Sequence, residues 1–224
     1  MKLASILFFT ILFSGTSWAN SEKITSVDVY NPYYSAQGGK ADYVRVYKAI
    51  DALLLTNKKS DYEKAAQIVR QDPSLITPMT MYVLAARAYD MGLRDEAVFW
   101  YFTGHFRLMM VNDVLDLPKM NMAEYSDFHR LVGQFILPYA GCDLDKRQKI
   151  QNQALQWVKS NPYKALLSPQ LKSKHSDRQK AIQQAENDIT EWVSQSQNYL
   201  KDPKNMAEFK KKRQELNTDQ KFCW

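Results

Sequence analysis

The stretch LAARAYDMGLRDEAVFWYFTGHFRLMM, residues 84–110, decides how the chain folds. Its first half reads as a helix with small residues, Ala85 and Ala88, on one side. Gly92 then supplies a turn, and Arg94 opens a second helix with Asp95 and Glu96 in its first turn, where carboxylates offset unsatisfied N–H groups. Ala97 is placed to let the two helices close, and Tyr89 to fill the gap toward a neighbouring pair. The run Phe99-Trp100-Tyr101-Phe102 is apolar around most of the second helix and reads as core. Gly104 permits a close crossing, and the register carries His105 and Arg107 toward the rim of the resulting groove.

Working outward, DYEKAA at 61–66 aligns with RDEAVF at 94–99, with Ala65 on Ala97 at an offset of 32 residues. That spacing lies near the tetratricopeptide period, the mark of helical pairs that cannot bury their apolar faces alone and therefore stack. No clear third copy follows residue 111. Helices are expected over residues 41–55, 61–70, 78–91, 94–111, 123–137, 144–160, 176–200 and 204–216. Their breaks are chemically marked: Asp72-Pro73 ends one, Thr77-Pro78 begins the next with proline in the first turn, and Ser176 or Asp177 is placed to cap the long one. That helix carries Ile182, Ala185, Ile189, Trp192, Val193 and Tyr199 at three-and-four spacing, a stripe that needs a partner surface. The expected class is all-α: antiparallel helical hairpins, tetratricopeptide-like in the N-terminal half, with a long C-terminal helix closed by a disulfide.

The first residues, MKLASILFFTILFSGTSWAN, combine Lys2, an apolar run from Leu3 to Phe13 and small residues before Ala19. They predict a signal peptide over residues 1–19, because the apolar run is too short for a transmembrane helix. No cysteine follows the expected cut, so no lipid anchor is expected, and the product is expected to be soluble and periplasmic. Residues 20–40 read as an N-terminal arm with a strand-like SVDVY and a Gly38-Gly39 junction. Residues 41–224 read as one helical domain, with hairpins over 41–111 and further packed helices over 123–224.

Export changes the meaning of the two cysteines. In an oxidising compartment Cys142 and Cys223 are expected to pair and to hold the C-terminus against the body. Neither lies in a Cys-x-x-Cys spacing, and two cysteines alone cannot build a cysteine zinc site. Charge is uneven: residues 143–224 hold 16 basic and 10 acidic side chains, including the run Lys210, Lys211, Lys212 and Arg213. Without a pattern of stacking aromatics among basic residues, nucleic acid is not an expected partner. An acidic protein surface or an anionic head group fits better, and a merely solvated helix face fits as well.

Chemical signatures are few. His105 shares its side of the helix with Val98, Tyr101, Phe102 and Met109, which suits a buried histidine bonded to a tyrosine or a carbonyl better than a catalytic one. His129 and His175 form no H-E-x-x-H or comparable ligand pair, so no metal is expected. No Gly-x-Ser-x-Gly elbow or phosphate-cradling glycine loop occurs, and no cofactor is expected.

The segment 84–110 resembles periplasmic immunity-type proteins that accompany secreted antibacterial effectors. Its LAARAYDMG…EA part is shared with many helical repeat proteins. The resemblance implies stoichiometric inhibition of a toxin by a rigid helical body, and it carries over no individual functional residue. The expected function is therefore protein binding, with His105, Arg107, Lys210, Lys211, Lys212 and Arg213 as candidate interface residues. An envelope scaffold or chaperone-like adaptor is the alternative, and an enzyme the least favoured class.

Overall fold

The computed structural model describes residues 50–56, 58–117 and 119–224. The expected signal peptide, the arm and most of the first expected helix lie outside them. The described chain is all-α: α1 (Asp51–Leu54), α2 (Lys59–Gln71), α3 (Pro78–Asp90), α4 (Arg94–Val114), α5 (Lys119–Ala140), α6 (Leu144–Ser160), a 3₁₀ turn (Lys164–Leu167), α7 (Arg178–Tyr199), α8 (Pro203–Glu215) and α9 (Thr218–Phe222). An isolated antiparallel bridge joins Leu115 to Ser173.

Helix starts follow the capping chemistry. Thr77 Oγ1 accepts from Thr80 N at 3.1 Å with Pro78 behind it, and Asp143 and Asp177 each accept from the backbone N–H three residues on at 2.9 Å. Asp202 caps α8 by accepting from Lys204 N and Asn205 N, with Pro203 in the first turn. Each such bond satisfies an N–H that has no partner inside its helix. Gly92 sits between α3 and α4 at φ 76°, a left-handed conformation that glycine adopts without a side-chain clash.

Helix α4 is the axis of the molecule, packed against α3, α5, α6 and α7. The sequence explains why: Val98, Trp100, Tyr101, Phe102, Phe106, Met110 and Val114 point around its full circumference, and all are buried. A helix that is apolar all round has no face to offer water and must be enclosed. Gly104 meets α3 here. A Cβ on it would come within 3.2 Å of the Met81 Cβ, the Pro78 carbonyl oxygen and the Tyr82 ring. The α3–α4 contact is accordingly the most extensive among the described helices.

Side chains with polar tips join the layers. Glu96 Oε1 accepts from Tyr62 Oη at 3.2 Å, Arg70 Nη2 at 2.6 Å and Trp100 Nε1 at 2.9 Å, tying α2 to α4. Besides offsetting the N–H groups of the first turn, Glu96 is thus a tertiary hub. Trp157 of α6 stands edge-on to Trp100 at 5.7 Å between ring centres. The stripe on α7 finds its partner surface in this body: Ala185, Ile189 and Val193 are buried, while Tyr199 lies at the exposed end.

The largest departures from the sequence expectation are in α5 and in two short elements. Helix α5 begins at Lys119 rather than at 123 and runs on through Pro138 to Ala140. The 3₁₀ turn and α9 were not expected, because both are single turns too short to show a period. Arg178 holds the chain around the 3₁₀ turn, donating to the carbonyls of Leu166 at 3.2 Å and Leu171 at 2.5 Å as well as to that of Ser168.

Candidate functional site

The six candidate interface residues do not form one surface. Arg107, expected at the rim, is fully buried at 0% exposure. Its Nη1 donates to the carbonyls of Pro73 at 2.8 Å and Ile76 at 2.5 Å, and its Nη2 to Asn161 at 3.0 Å. Its guanidinium carbon lies about 5 Å from the ring centres of Trp157 and Tyr163. Burial pushes its pKa down to about 10, so it remains a cation at neutral pH. Arg107 is thus an internal staple joining the α2–α3 loop to the end of α6. The correction has a simple origin: the partly exposed positions at the middle of α4 are Phe99, His105 and Met109, whereas the register turns Arg107 inward, under the α2–α3 loop and the end of α6.

His105 is also largely enclosed, and its hydrogen bonding is not the expected one. Among the described residues its Nδ1 has no partner. The tyrosines go instead to His129, whose Nδ1 lies 3.0 Å from Tyr82 Oη and whose Nε2 lies 3.2 Å from Tyr101 Oη. The two imidazoles stack at 4.6 Å with an interplanar angle of 13°, and Trp192 meets His105 edge-on at 5.1 Å. Burial, with a smaller contribution from His129, lowers the His105 pKa to about 3, and burial lowers that of His129. Both rings are therefore neutral at pH 7 and act as packing surfaces. Their meeting was not legible in sequence, since 24 positions separate them and they lie on different helices.

The C-terminal candidates lie on a different part of the molecule. Cys142 and Cys223 form a disulfide with Cα atoms 5.5 Å apart, closing 81 residues of chain. Arg213 belongs to this bond rather than to an open surface. Its Nη2 approaches Cys142 Sγ at 3.4 Å and Cys223 Sγ at 3.2 Å, Nη1 donates to the Pro138 carbonyl at 3.0 Å, and Nε donates to Asp219 at 2.7 Å. Gly141 makes room for it: a Cβ there would fall 2.5 Å from Arg213 Nη1. Arg213 is therefore also corrected, from interface residue to anchor of the closing segment.

Lys210, Lys211 and Lys212 are exposed on α8. Lys211 pairs with Glu215 at 3.8 Å and Lys212 with Glu208 at 2.8 Å, each one helical turn away. Helix α8 buries no residue and packs chiefly on α9, which rests on α5. Between α8, α9 and the start of α6 lies an open cleft of about 800 Å³, with Cys142, Met206, Phe209, Lys210 and Arg213 among its walls. The last residue, Trp224, is 67% exposed and lies 4.2 Å from the Arg94 guanidinium carbon, which also covers Tyr89 at 3.9 Å. This C-terminal face combines an exposed tryptophan, a basic helix and a cleft. Among the described residues no cluster of three or more metal-ligating side chains occurs, and no helix is long and apolar enough to cross a membrane.

No family model matches the chain, and no solved structure matches it. A protein of Haemophilus influenzae, described as an uncharacterized protein, is 41% identical over 219 residues, which make up 97% of this chain and 87% of that relative. Similarity of that degree, carried over nearly the whole chain with the folding pattern described above, makes this protein a member of the same family as the Haemophilus influenzae protein.

Proposed function

We propose that the chain is an exported protein-binding protein of the periplasm, acting as a stoichiometric inhibitor of a secreted antibacterial effector. The observation that carries the reading is α8: a 13-residue helix that buries no side chain and presents Lys210, Lys211 and Lys212 to solvent beside an open cleft. Of its basic run only Arg213 is committed to the disulfide, which leaves the three lysines facing solvent. Its lysines attract an acidic partner, raising the association rate more than the affinity. Trp224 at the far side of the disulfide is the type of side chain that anchors protein interfaces.

The frame behind this face is tetratricopeptide-like, two stacked helical hairpins formed by α1 to α4. In support, Ala65 and Ala97, aligned in sequence, are both fully buried, and the Glu96 hub joins one pair to the next. The signal-peptide pattern of residues 1–19 supports the compartment. A non-catalytic scaffold or adaptor of the envelope uses the same face and is the second reading.

The test is capture of partners from periplasmic extract and from a panel of secreted toxins by the disulfide-bonded chain. Charge reversal at Lys210, Lys211 and Lys212 follows, with binding measured at low and moderate salt. A one-to-one complex that blocks toxin activity, weakened and made salt-independent by the reversal, is the expected result. Binding untouched by the reversal removes α8 from the mechanism. Turnover of an envelope substrate without any protein partner overturns the reading.

A further inference from the structure

Arg94 and Arg147 stand apart from the other enclosed cations in making neither an ion pair nor a hydrogen bond among the described residues: Arg94 lies over the rings of Tyr89, Tyr139 and Trp224, whereas Arg147 borders open space. Arg87 pairs with Asp90 at 2.9 Å, Arg107 and Arg178 are each held by three carbonyls, and Arg213 has Asp219. Arg147, mostly enclosed in the first turns of α6, makes no ion pair and donates no hydrogen bond among the described residues. Its contact is with the Phe102 ring, 6.0 Å away. Two unfavourable terms meet at this position. A half-buried guanidinium without a protein hydrogen-bond partner gives up part of its hydration and keeps only the water that the adjoining cavities admit, and a cation near a helix N-terminus opposes the helix dipole. Burial accordingly lowers its pKa, with Tyr101 acting weakly in the other sense.

The surroundings of Arg147 are hollow. It forms part of the wall of three cavities: one beside the disulfide, with Asp95 and Asp143, and two that adjoin and also share Ser196 and Leu200. Of the adjoining two, one, of about 470 Å³, is faced by Trp192, Tyr199, Leu200 and Phe209. The other, of about 230 Å³, is faced by side-chain amides tied into a ladder between α6 and α7: Gln148 donates to Gln197 at 3.0 Å, Gln197 to Gln151 at 3.4 Å, and Gln151 to Ser196 at 3.3 Å. Asp145 borders this second cavity but lies beyond ion-pair reach of Arg147. A half-buried cation thus sits where an aromatic chamber meets an amide-rich wall that also carries Lys201 and Asp145.

We propose that Arg147 is the anion-binding residue of a ligand site that takes a terminal carboxylate carrying an apolar or aromatic group. The carboxylate pairs with the guanidinium in two parallel hydrogen bonds, and the apolar body lies against Trp192, Leu200 and Phe209. Free aryl or alkyl acids and the C-terminus of a peptide ending in an aromatic residue present the same chemistry. This inference stands apart from the protein-binding role, since it concerns a ligand beneath α8 rather than a partner on its outer face.

Calorimetric titration of the mature, disulfide-bonded chain tests it with four probes: 4-phenylbutyrate, its neutral amide 4-phenylbutyramide, and a tripeptide ending in phenylalanine as the free acid and as the C-terminal amide. At least one carboxylate is expected to bind at least 10-fold more tightly than its amide, in keeping with a charge-assisted pair. Preference for phenylbutyrate identifies free acids as the source, and preference for the tripeptide acid identifies chain termini. Arg147→Met is expected to abolish the difference between acid and amide while leaving the urea midpoint of the unliganded chain unchanged or raised, because it removes an unpaired enclosed cation. Equal binding of acid and amide, no binding of any probe at millimolar concentration, or a marked fall in the urea midpoint of Arg147→Met would each overturn the proposal. The last result would make Arg147 a structural residue.

Discussion

Replacing Arg107 with leucine removes the donor that three backbone carbonyls share, those of Pro73, Ile76 and Asn161. These belong to two loops distant in sequence, and the side chain reaching them is fully buried. A buried acceptor left without a donor loses about 1–3 kcal/mol, and hydrogen bonds to a charged group contribute about 1.5–3 kcal/mol net. Three such losses do not add in full. Leucine no longer requires a cation to be desolvated, and the loops can shift to admit water. The expected net loss is about 3–5 kcal/mol, a large part of the 5–15 kcal/mol typical of a folded chain.

Lysine at the same position keeps the charge but cannot reach all three carbonyls, so Arg107→Lys is expected to lose roughly half as much. Equilibrium unfolding in urea, followed by tryptophan fluorescence and far-ultraviolet circular dichroism, measures both. Amide exchange locates the loss: protection should fall first around residues 72–77 and 160–163, the two segments that Arg107 ties. A loss below about 1 kcal/mol for Arg107→Leu, or equal losses for leucine and lysine, would refute the staple.

Trp100→Ala and Tyr101→Ala are expected to lower stability by about 3–5 kcal/mol each, and His105→Ala by clearly less, in thermal melts. A wild-type melt for Trp100→Ala would contradict its complete burial. Cys223→Ser opens a closed stretch of 81 residues; loop-closure reasoning sets the loss at about 4 kcal/mol or less, and amide exchange is expected to show α9 and Trp224 released while α4 stays protected. His105 and His129 give a pH dependence of definite sign. Their folded pKa values lie below the unfolded value, so below pH 6.5 the unfolded chain binds protons that the folded chain refuses, and stability falls as pH falls. Unfolding free energies from urea titrations at pH 7 and pH 5.5 are expected to differ by up to roughly 1 kcal/mol per histidine, and His105→Phe is expected to flatten the curve. An unchanged slope in that variant would show that the stack is not the source.

Local chemistry made much of this architecture legible in the sequence alone. Threonine and aspartate caps, prolines in first turns and Gly92 in its turn act over a few residues, so helices α3, α4, α6, α7 and α8 begin within two residues of their expected starts. The apolar circumference of Trp100 to Phe106 likewise required α4 to be enclosed, because no arrangement leaves such a helix at the surface. The Cys142–Cys223 pairing followed from the scarcity of alternatives. What the folded chain alone decided was how side chains from distant segments meet. Arg107 and Arg213 look alike in sequence, as cations beside aromatic or basic neighbours. One became a core staple because four helices surround it, and the other a disulfide anchor because Gly141 left space 72 positions away. The same holds for the stacking of His105 on His129 and for the unpaired enclosure of Arg147. Burial and partnership depend on distances between elements, and those distances are set by the packing of the entire core, which no local pattern encodes.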